Sequence, residues 1–172
     1  MNLILPPLDG HAAEDATLHL LHGLVLLLRP ALIVEAGTYK GHAACVMGKA
    51  LRDSQTDGEV WTADVTDHGA QECVTRNGLG RWVHCYHGDF GDMLATLAGR
   101  TWRLAFIDSG PTFEVEAPQN IRTTHAQAAY DGLGPEGMMV IDDVWGEWIG
   151  VETWRARGFV IPGGRGVALV GR

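Results

Sequence analysis

The chain has 172 residues, 46% of them hydrophobic and 20% charged, values that fit one folded domain with its own core and exclude a disordered or fibrous chain. Thirteen basic residues against 21 acidic ones leave a formal net charge of −8, with the basic residues scattered along the chain, which argues against nucleic acid or an anionic membrane as partner and for a neutral or cationic small molecule or a divalent metal. Cys45, Cys73 and Cys85 are odd in number and lack C-x-x-C spacing, so a disulfide framework or zinc ribbon is not expected and a reducing cytoplasm is the expected setting.

In chain order, Met1 to Pro7 lacks the basic and apolar regions of a signal peptide, and Leu18 to Leu28 is too short for a span. Leu18, Leu21, Val25 and Leu28 instead form the apolar stripe of a helix from Glu14 to Leu28 that Arg29-Pro30 closes. Its apolar face could serve a homo-oligomer or pack on a sheet. A β-branched run, Leu32 to Val34, reads as a strand buried on both faces. It ends at Glu35 and opens into Ala36-Gly37-Thr38-Tyr39-Lys40-Gly41, where two glycines permit a tight turn and close approach of a ligand. Ala43 to Leu51 has helical composition, so the turn presents backbone N–H groups at a helix start. The Glu-x-Gly-x-x-x-Gly spacing argues against a dinucleotide fingerprint.

Further β-prone runs follow at Val60 to Ala63, Trp82 to Tyr86, Leu104 to Ile107 and Met138 to Ile141. Helix-compatible segments separate or follow them at 71–76, 93–97, 115–130 and 147–157. This alternation predicts an α/β fold, a parallel sheet with helices on both faces. At the end, 159–161 and 167–170 flank Pro162-Gly163-Gly164-Arg165-Gly166 and can pair only as an antiparallel hairpin.

Ligands of an open α/β sheet sit beyond the carboxyl ends of its strands. Each run delivers an acid there: Glu35, Asp64, Asp89, Asp108, and Asp142 with Asp143. Asp64 suits two vicinal ribose hydroxyls, because a carboxylate offers two acceptor oxygens. Gly88-Asp89 reads equally as a turn and helix N-cap with Phe90 in the core, and Tyr39 as packing over its turn. Asp108, Asp142 and Asp143 are hard oxygen donors suited to Mg²⁺, Mn²⁺ or Ca²⁺; alternatively Asp143 caps a helix starting near Gly146 and Asp142 meets a backbone amide. His84-Cys85-x-His87 is no zinc site, since alternate strand residues face opposite ways, and His19 and His22 read as the wet edge of the first helix. Trp145, Trp148 and Trp154 follow the fifth strand, where they could stack on an aromatic substrate; Trp154 reads better as core.

The glycine turn after the first strand, the acids at the strand ends and the closing hairpin together resemble the class I S-adenosylmethionine-dependent methyltransferases. Leu104-Ala105-Phe106-Ile107-Asp108 and Val140-Ile141-Asp142-Asp143 resemble the metal-binding segments of the catechol and caffeoyl-coenzyme A type O-methyltransferases. The resemblance implies a Rossmann-like sandwich with a mostly parallel seven-stranded sheet, residues 1–172 forming one domain. It implies S-adenosylmethionine held by Glu35, Gly37, Thr38, Tyr39, Gly41, Asp64, Val65, Gly88, Asp89, Phe90 and Asp108, with a divalent metal, Mg²⁺ by default, on Asp108, Asp142 and Asp143. A small hydroxylated molecule would be the acceptor. The family often carries a Lys or His soon after the fourth-strand acid, and 109–114 contain neither, so His125 or Lys40 would have to replace it as base, with Asp108 catalytic through the metal that would hold the acceptor hydroxyl. A metal-independent methyltransferase and a non-catalytic S-adenosylmethionine-binding or partner-binding module are the alternatives.

Overall fold

The computed structural model describes residues 2–9, 12–110, 121–145 and 150–172. Its elements run α1 (Asp15–Leu28), β1 (Leu32–Ala36), α2 (His42–Asp53), β2 (Glu59–Asp64), α3 (Ala70–Arg76), β3 (Val83–His87), α4 (Phe90–Thr96), β4 (Trp102–Ile107), α5 (Ile121–Asp131), β5 (Leu133–Asp142), α6 (Val151–Arg157), β6 (Phe159–Ile161) and β7 (Val167–Gly171). The seven strands form one sheet in the order β3-β2-β1-β4-β5-β7-β6. Pairings from β3 to β5 are parallel, whereas β7 enters antiparallel against β5 and pairs antiparallel with β6 at the edge. The expected α/β sandwich with a C-terminal hairpin is therefore the observed one.

β1 lies between β2 and β4, and all five of its residues are buried. That central place explains its apolar run. Pairing on both sides continues past Val34, so Glu35 is a residue of the strand, paired with Thr62 and Phe106, and does not follow it as the sequence suggests. The same extension makes Asp64 and Asp142 the last residues of β2 and β5. β5 also begins earlier than its apolar run, at Leu133, because Leu133 pairs with Trp102 across an irregularity in the β4 register.

α1 ends where Arg29 turns left-handed (φ 47°) and its N–H reaches the Val25 carbonyl at 2.9 Å, with Pro30 next. Its residues Leu18, Leu21, Leu24 and Val25 join one core with α2 and α3 on the first face of the sheet, while Leu26 and Leu27 point outward. A second core on the other face collects Phe90 and Met93 of α4, Ala126 and Ala129 of α5, and Trp154 of α6. The thiols of Cys45 on α2 and Cys73 on α3 lie 3.4 Å apart within the first core, unbridged. His84 pairs with Glu59 at 3.1 Å and stacks on Trp61, and His19 is exposed. Among the described residues no helix is long and apolar enough to cross a membrane.

The N-terminal segment lies across the helices of the first face. Asn77, at the end of α3, bonds both the N–H of Ile4 (2.7 Å) and its carbonyl (3.0 Å), and His42 at the start of α2 meets the Pro6 carbonyl at 2.9 Å.

Trp154 is 1% exposed and anchors α6 to the second core. Truncation to Ala should remove about 3–5 kcal/mol of stability in urea unfolding; a loss below about 1 kcal/mol would show that α6 contributes little to that core.

Candidate active site at the carboxyl edge of the sheet

The end of β1 builds the floor of a small cavity bounded by Glu35, Gly37, Tyr39 and Asp108, by His42 and Ala43 at the start of α2, and by Ala12 and Ala13 from the N-terminal side. Gly37 has φ 95°, and a Cβ there would stand 2.6 Å from the Asp108 carbonyl oxygen, so only glycine lets the β1 and β4 ends come this close. Gly41, at φ 82°, is the N-cap of α2 and leaves that helix start without a side-chain cap.

Glu35 is 1% exposed, and among the described residues neither of its carboxyl oxygens has a partner in hydrogen-bond geometry, although the Thr62 hydroxyl is near enough to act on it. Burial pushes its pKa up to about 8, with the charges of Asp108 and Asp64 adding to the effect and the Thr62 hydroxyl easing it. That hydroxyl is itself 2.5 Å from the Thr38 hydroxyl, which ties the glycine turn to β2.

At the end of β2, the Asp64 carboxylate accepts the backbone N–H of Tyr39 at 2.8 Å and of Thr66 at 3.0 Å, one on each oxygen. A carboxylate has about four acceptor positions, so two remain for a diol. Val65 beside it is 58% exposed. After β3, Gly88 donates its N–H to the Asp64 carbonyl, and Asp89 caps α4 by accepting the Gly91 N–H at 2.7 Å. Phe90 is buried in the second core with its ring 5.2 Å from that of His125, so the segment does form the expected cap and core contact.

His125 on α5 is nearly buried, its Nδ1 2.9 Å from Ser109 Oγ and its Nε2 3.4 Å from Asp89 Oδ2. Burial holds its pKa below the ordinary imidazole value, against the pull of Asp89. Lys40 is turned away from the cavity to Asp9, at 2.6 Å, and the Tyr39 hydroxyl reaches the same carboxylate at 3.0 Å.

The acids after β4 and β5 do converge. Asp108, Asp142 and Asp143 each offer an oxygen within 4.8 Å of the others. Burial first, then the Asp142 charge, raises the Asp108 pKa well above the carboxylate range; burial and Asp143 raise that of Asp142. Two residues that sequence reasoning did not single out complete the cluster. Arg122 of α5 lies 3.5 Å from Asp108 and 3.2 Å from Asp143, and Arg165 of the β6–β7 turn lies 3.3 Å from Asp142 and 2.9 Å from Asp143. No local signal marks either one, since their partners lie up to 23 residues away in sequence. By donor chemistry the three carboxylates suit a hard divalent cation. The guanidinium groups already pair with the same oxygens, and the residues present do not fit an additional metal ion.

Trp145 is half exposed beneath the Arg155 guanidinium, 5.0 Å from its ring centre, and Trp154 is core. Trp148, the expected helix start near Gly146, residues 111–114 and the beginnings of the helical segments expected over 115–130 and 147–157 lie outside the described residues.

The chain belongs to the methyltransferase-domain family, whose match spans residues 34–144, from β1 to just beyond β5. No curated protein matches it in sequence. Its fold is that of the class I S-adenosylmethionine-dependent methyltransferases. An O-methyltransferase from Bacillus cereus, solved in complex with S-adenosylhomocysteine, superposes with a TM-score of 0.76 at 19% identity over 95% of this chain and 84% of that one. The O-methyltransferase TomG of Streptomyces achromogenes, involved in tomaymycin synthesis and solved with S-adenosylmethionine, gives 0.73 at 21% identity over 94% and 82%. A candidate caffeoyl-CoA O-methyltransferase from Staphylococcus aureus gives 0.74 at 14% identity over 98% and 86%.

The raised pKa of Glu35 carries a sign that can be tested. The carboxyl is protonated in both folded and unfolded chains below the ordinary value of 4.5, so folding is penalised progressively as pH rises from there to about 8. In the ligand-free protein, Glu35→Gln should abolish a pH-dependent destabilisation on the order of a few kcal/mol between pH 5 and 8. Parallel stability curves for wild type and variant across that range would show that Glu35 titrates normally.

Proposed function

We propose that residues 1–172 act as one methyltransferase domain that transfers the methyl group of S-adenosylmethionine to a hydroxyl oxygen of a small molecule. The observation that carries this reading is the buried, unpartnered Glu35 on the cavity floor beside Gly37. A carboxyl in that position is costly to ionise alone and gains most from a cationic ligand. S-adenosylmethionine supplies both such a cation and the methyl group, carried on its sulfonium.

The chain's own residues then divide the work. Glu35, Gly37, Thr38, Tyr39 and Gly41 would hold the amino-acid end, with the close turn at Gly37 leaving room for backbone contact. Asp64, with Val65, would accept the ribose hydroxyls, and Gly88, Asp89 and Phe90 would border the adenine. Orientation of acceptor and methyl donor is the main catalytic contribution of such a site, up to about 7–11 kcal/mol. Of the three candidate catalytic residues, Asp108 borders the cavity, while Lys40 is engaged with Asp9 and His125 with Ser109 and Asp89. Asp108 is therefore assigned to the acceptor proton, and the cytoplasm remains the expected setting. The choice of oxygen as the methylated atom is supported by the three O-methyltransferase folds named above.

The test is a calorimetric titration of the full chain with S-adenosylhomocysteine, followed by an assay of methyl transfer from S-adenosylmethionine to a panel of hydroxylated acceptors. Micromolar binding is expected. Tighter binding of NAD(H), or no binding by folded protein, would overturn the cofactor assignment, and binding without transfer to any acceptor would favour a non-catalytic module. Asp64→Ala should weaken S-adenosylhomocysteine binding by at least about tenfold, the loss of roughly one charge-assisted hydrogen-bond pair. Asp108→Asn should lower kcat by about 100-fold or more with a much smaller change in that affinity; equal losses in both would place Asp108 in cofactor binding alone.

A further inference from the structure

We infer that Arg122 and Arg165 are built-in counter-cations of the Asp108–Asp142–Asp143 cluster, so that these three carboxylates, arranged as a divalent-metal site would be, take no metal ion in this protein. The inference deepens the methyl-transfer reading and depends on it only where turnover is measured.

Three carboxylates brought within 4.8 Å of one another require positive charge nearby. What distinguishes the two arginines from side chains drawn loosely towards an acidic patch is that each is also anchored to main chain. Arg122 is 5% exposed; its Nε donates to the Ser109 carbonyl at 2.6 Å and its Nη1 to the Asp142 carbonyl at 2.8 Å. Those carbonyls belong to the β4 and β5 ends that carry the cluster, so the backbone itself fixes the guanidinium in place. Its outward nitrogen then lies 3.5 Å from Asp108 Oδ1 and 3.3 Å from Asp143 Oδ2. Arg165 is likewise tied to main chain, by one bond of its guanidinium. Its Nη2 donates to the Ala12 carbonyl at 2.7 Å, and its backbone N–H reaches Glu14 Oε2 at 3.3 Å.

From those anchors Arg165 meets Asp142 Oδ2 at 3.3 Å and Asp143 Oδ1 at 2.9 Å, while the Thr17 hydroxyl lies 3.4 Å from Asp142 Oδ1. Every member of the cluster thus has a guanidinium within 3.5 Å, and Asp143 has two, one on each oxygen. A divalent cation would have to approach these oxygens to about 2.0–2.6 Å. It would do so beside two fixed positive charges that share them. Planar guanidinium groups present several donors to these carboxylates, and a bare ion at the same place would have to displace them. The pair also joins the N-terminal segment, the β4 and β5 ends and the β6–β7 turn at one point.

The experiment is a titration of the chelator-stripped full chain with Mn²⁺, with free manganese read by electron paramagnetic resonance. The expected result is that free Mn²⁺ tracks added Mn²⁺ up to about 1 mM, and that turnover is equal in Mg²⁺ and in excess chelator. Micromolar Mn²⁺ binding that Asp142→Asn abolishes would overturn the inference. Arg165→Gln, at a partly exposed turn position, should raise Mn²⁺ affinity at least tenfold; no gain in a folded variant would overturn the assignment of metal exclusion to the arginine. Manganese binding is read without turnover, so a failure here is distinct from failure of the methyltransferase reading, which the S-adenosylhomocysteine titration decides.

Discussion

Parallel strands deliver their carboxyl ends to one edge of the sheet, and in this chain all five parallel strands bring acids there, three of which, Asp108, Asp142 and Asp143, offer oxygens within 4.8 Å of one another. Like charges so placed repel unless something neutralises them. The molecule uses two different solutions. Asp108, Asp142 and Asp143 are met by two guanidinium groups held on backbone carbonyls, although burial still raises the pKa of Asp108 and Asp142, whereas Glu35 on the cavity floor has no guanidinium beside it among the described residues and is favoured in its protonated form. The first arrangement is a permanent part of the architecture. The second leaves Glu35 without such a partner, in a cavity that Asp108 also borders.

The N-terminal segment matters because it is attached to both arrangements. Residues 4 and 6 are held by Asn77 and His42, Asp9 receives Lys40 and the Tyr39 hydroxyl, and Ala12 receives Arg165. The result is a covering that runs from α3 across the start of α2 to the β6–β7 turn. Ala12 and Ala13 close one side of the cavity as a consequence. Lys40 illustrates how this covering redirects a side chain: it stands in the loop that would hold the cofactor, yet its ammonium is spent on the segment above and not on the chemistry below.

Legibility in the sequence followed the range of the interactions. The β1 turn was readable because Gly37 and Gly41 answer to local backbone geometry, and Gly37 indeed has the positive φ and close approach that glycine allows. Asp89 and Phe90 were readable as a cap and a core residue for the same reason, since N-capping joins residues two apart. Glu35 was misplaced after its strand, because pairing with β2 and β4 determines where β1 ends and the apolar run alone does not. Arg122 and Arg165 carried no readable signal: one lies on a helix of mixed composition, the other in a glycine-rich turn.

What the sequence by itself determined, then, was the alternation of strands and helices, the closing hairpin, the glycine turn and the placement of acids at strand ends. All of these rest on periodicity and on contacts between near neighbours in the chain. Tertiary structure alone decided how those acids are neutralised and which candidate catalytic residue borders the cavity. Counter-charges from α5, the β6–β7 turn and the N-terminal segment reach the cluster only after the sheet has assembled, and burial, which sets the protonation of Glu35, is a property of the packed whole.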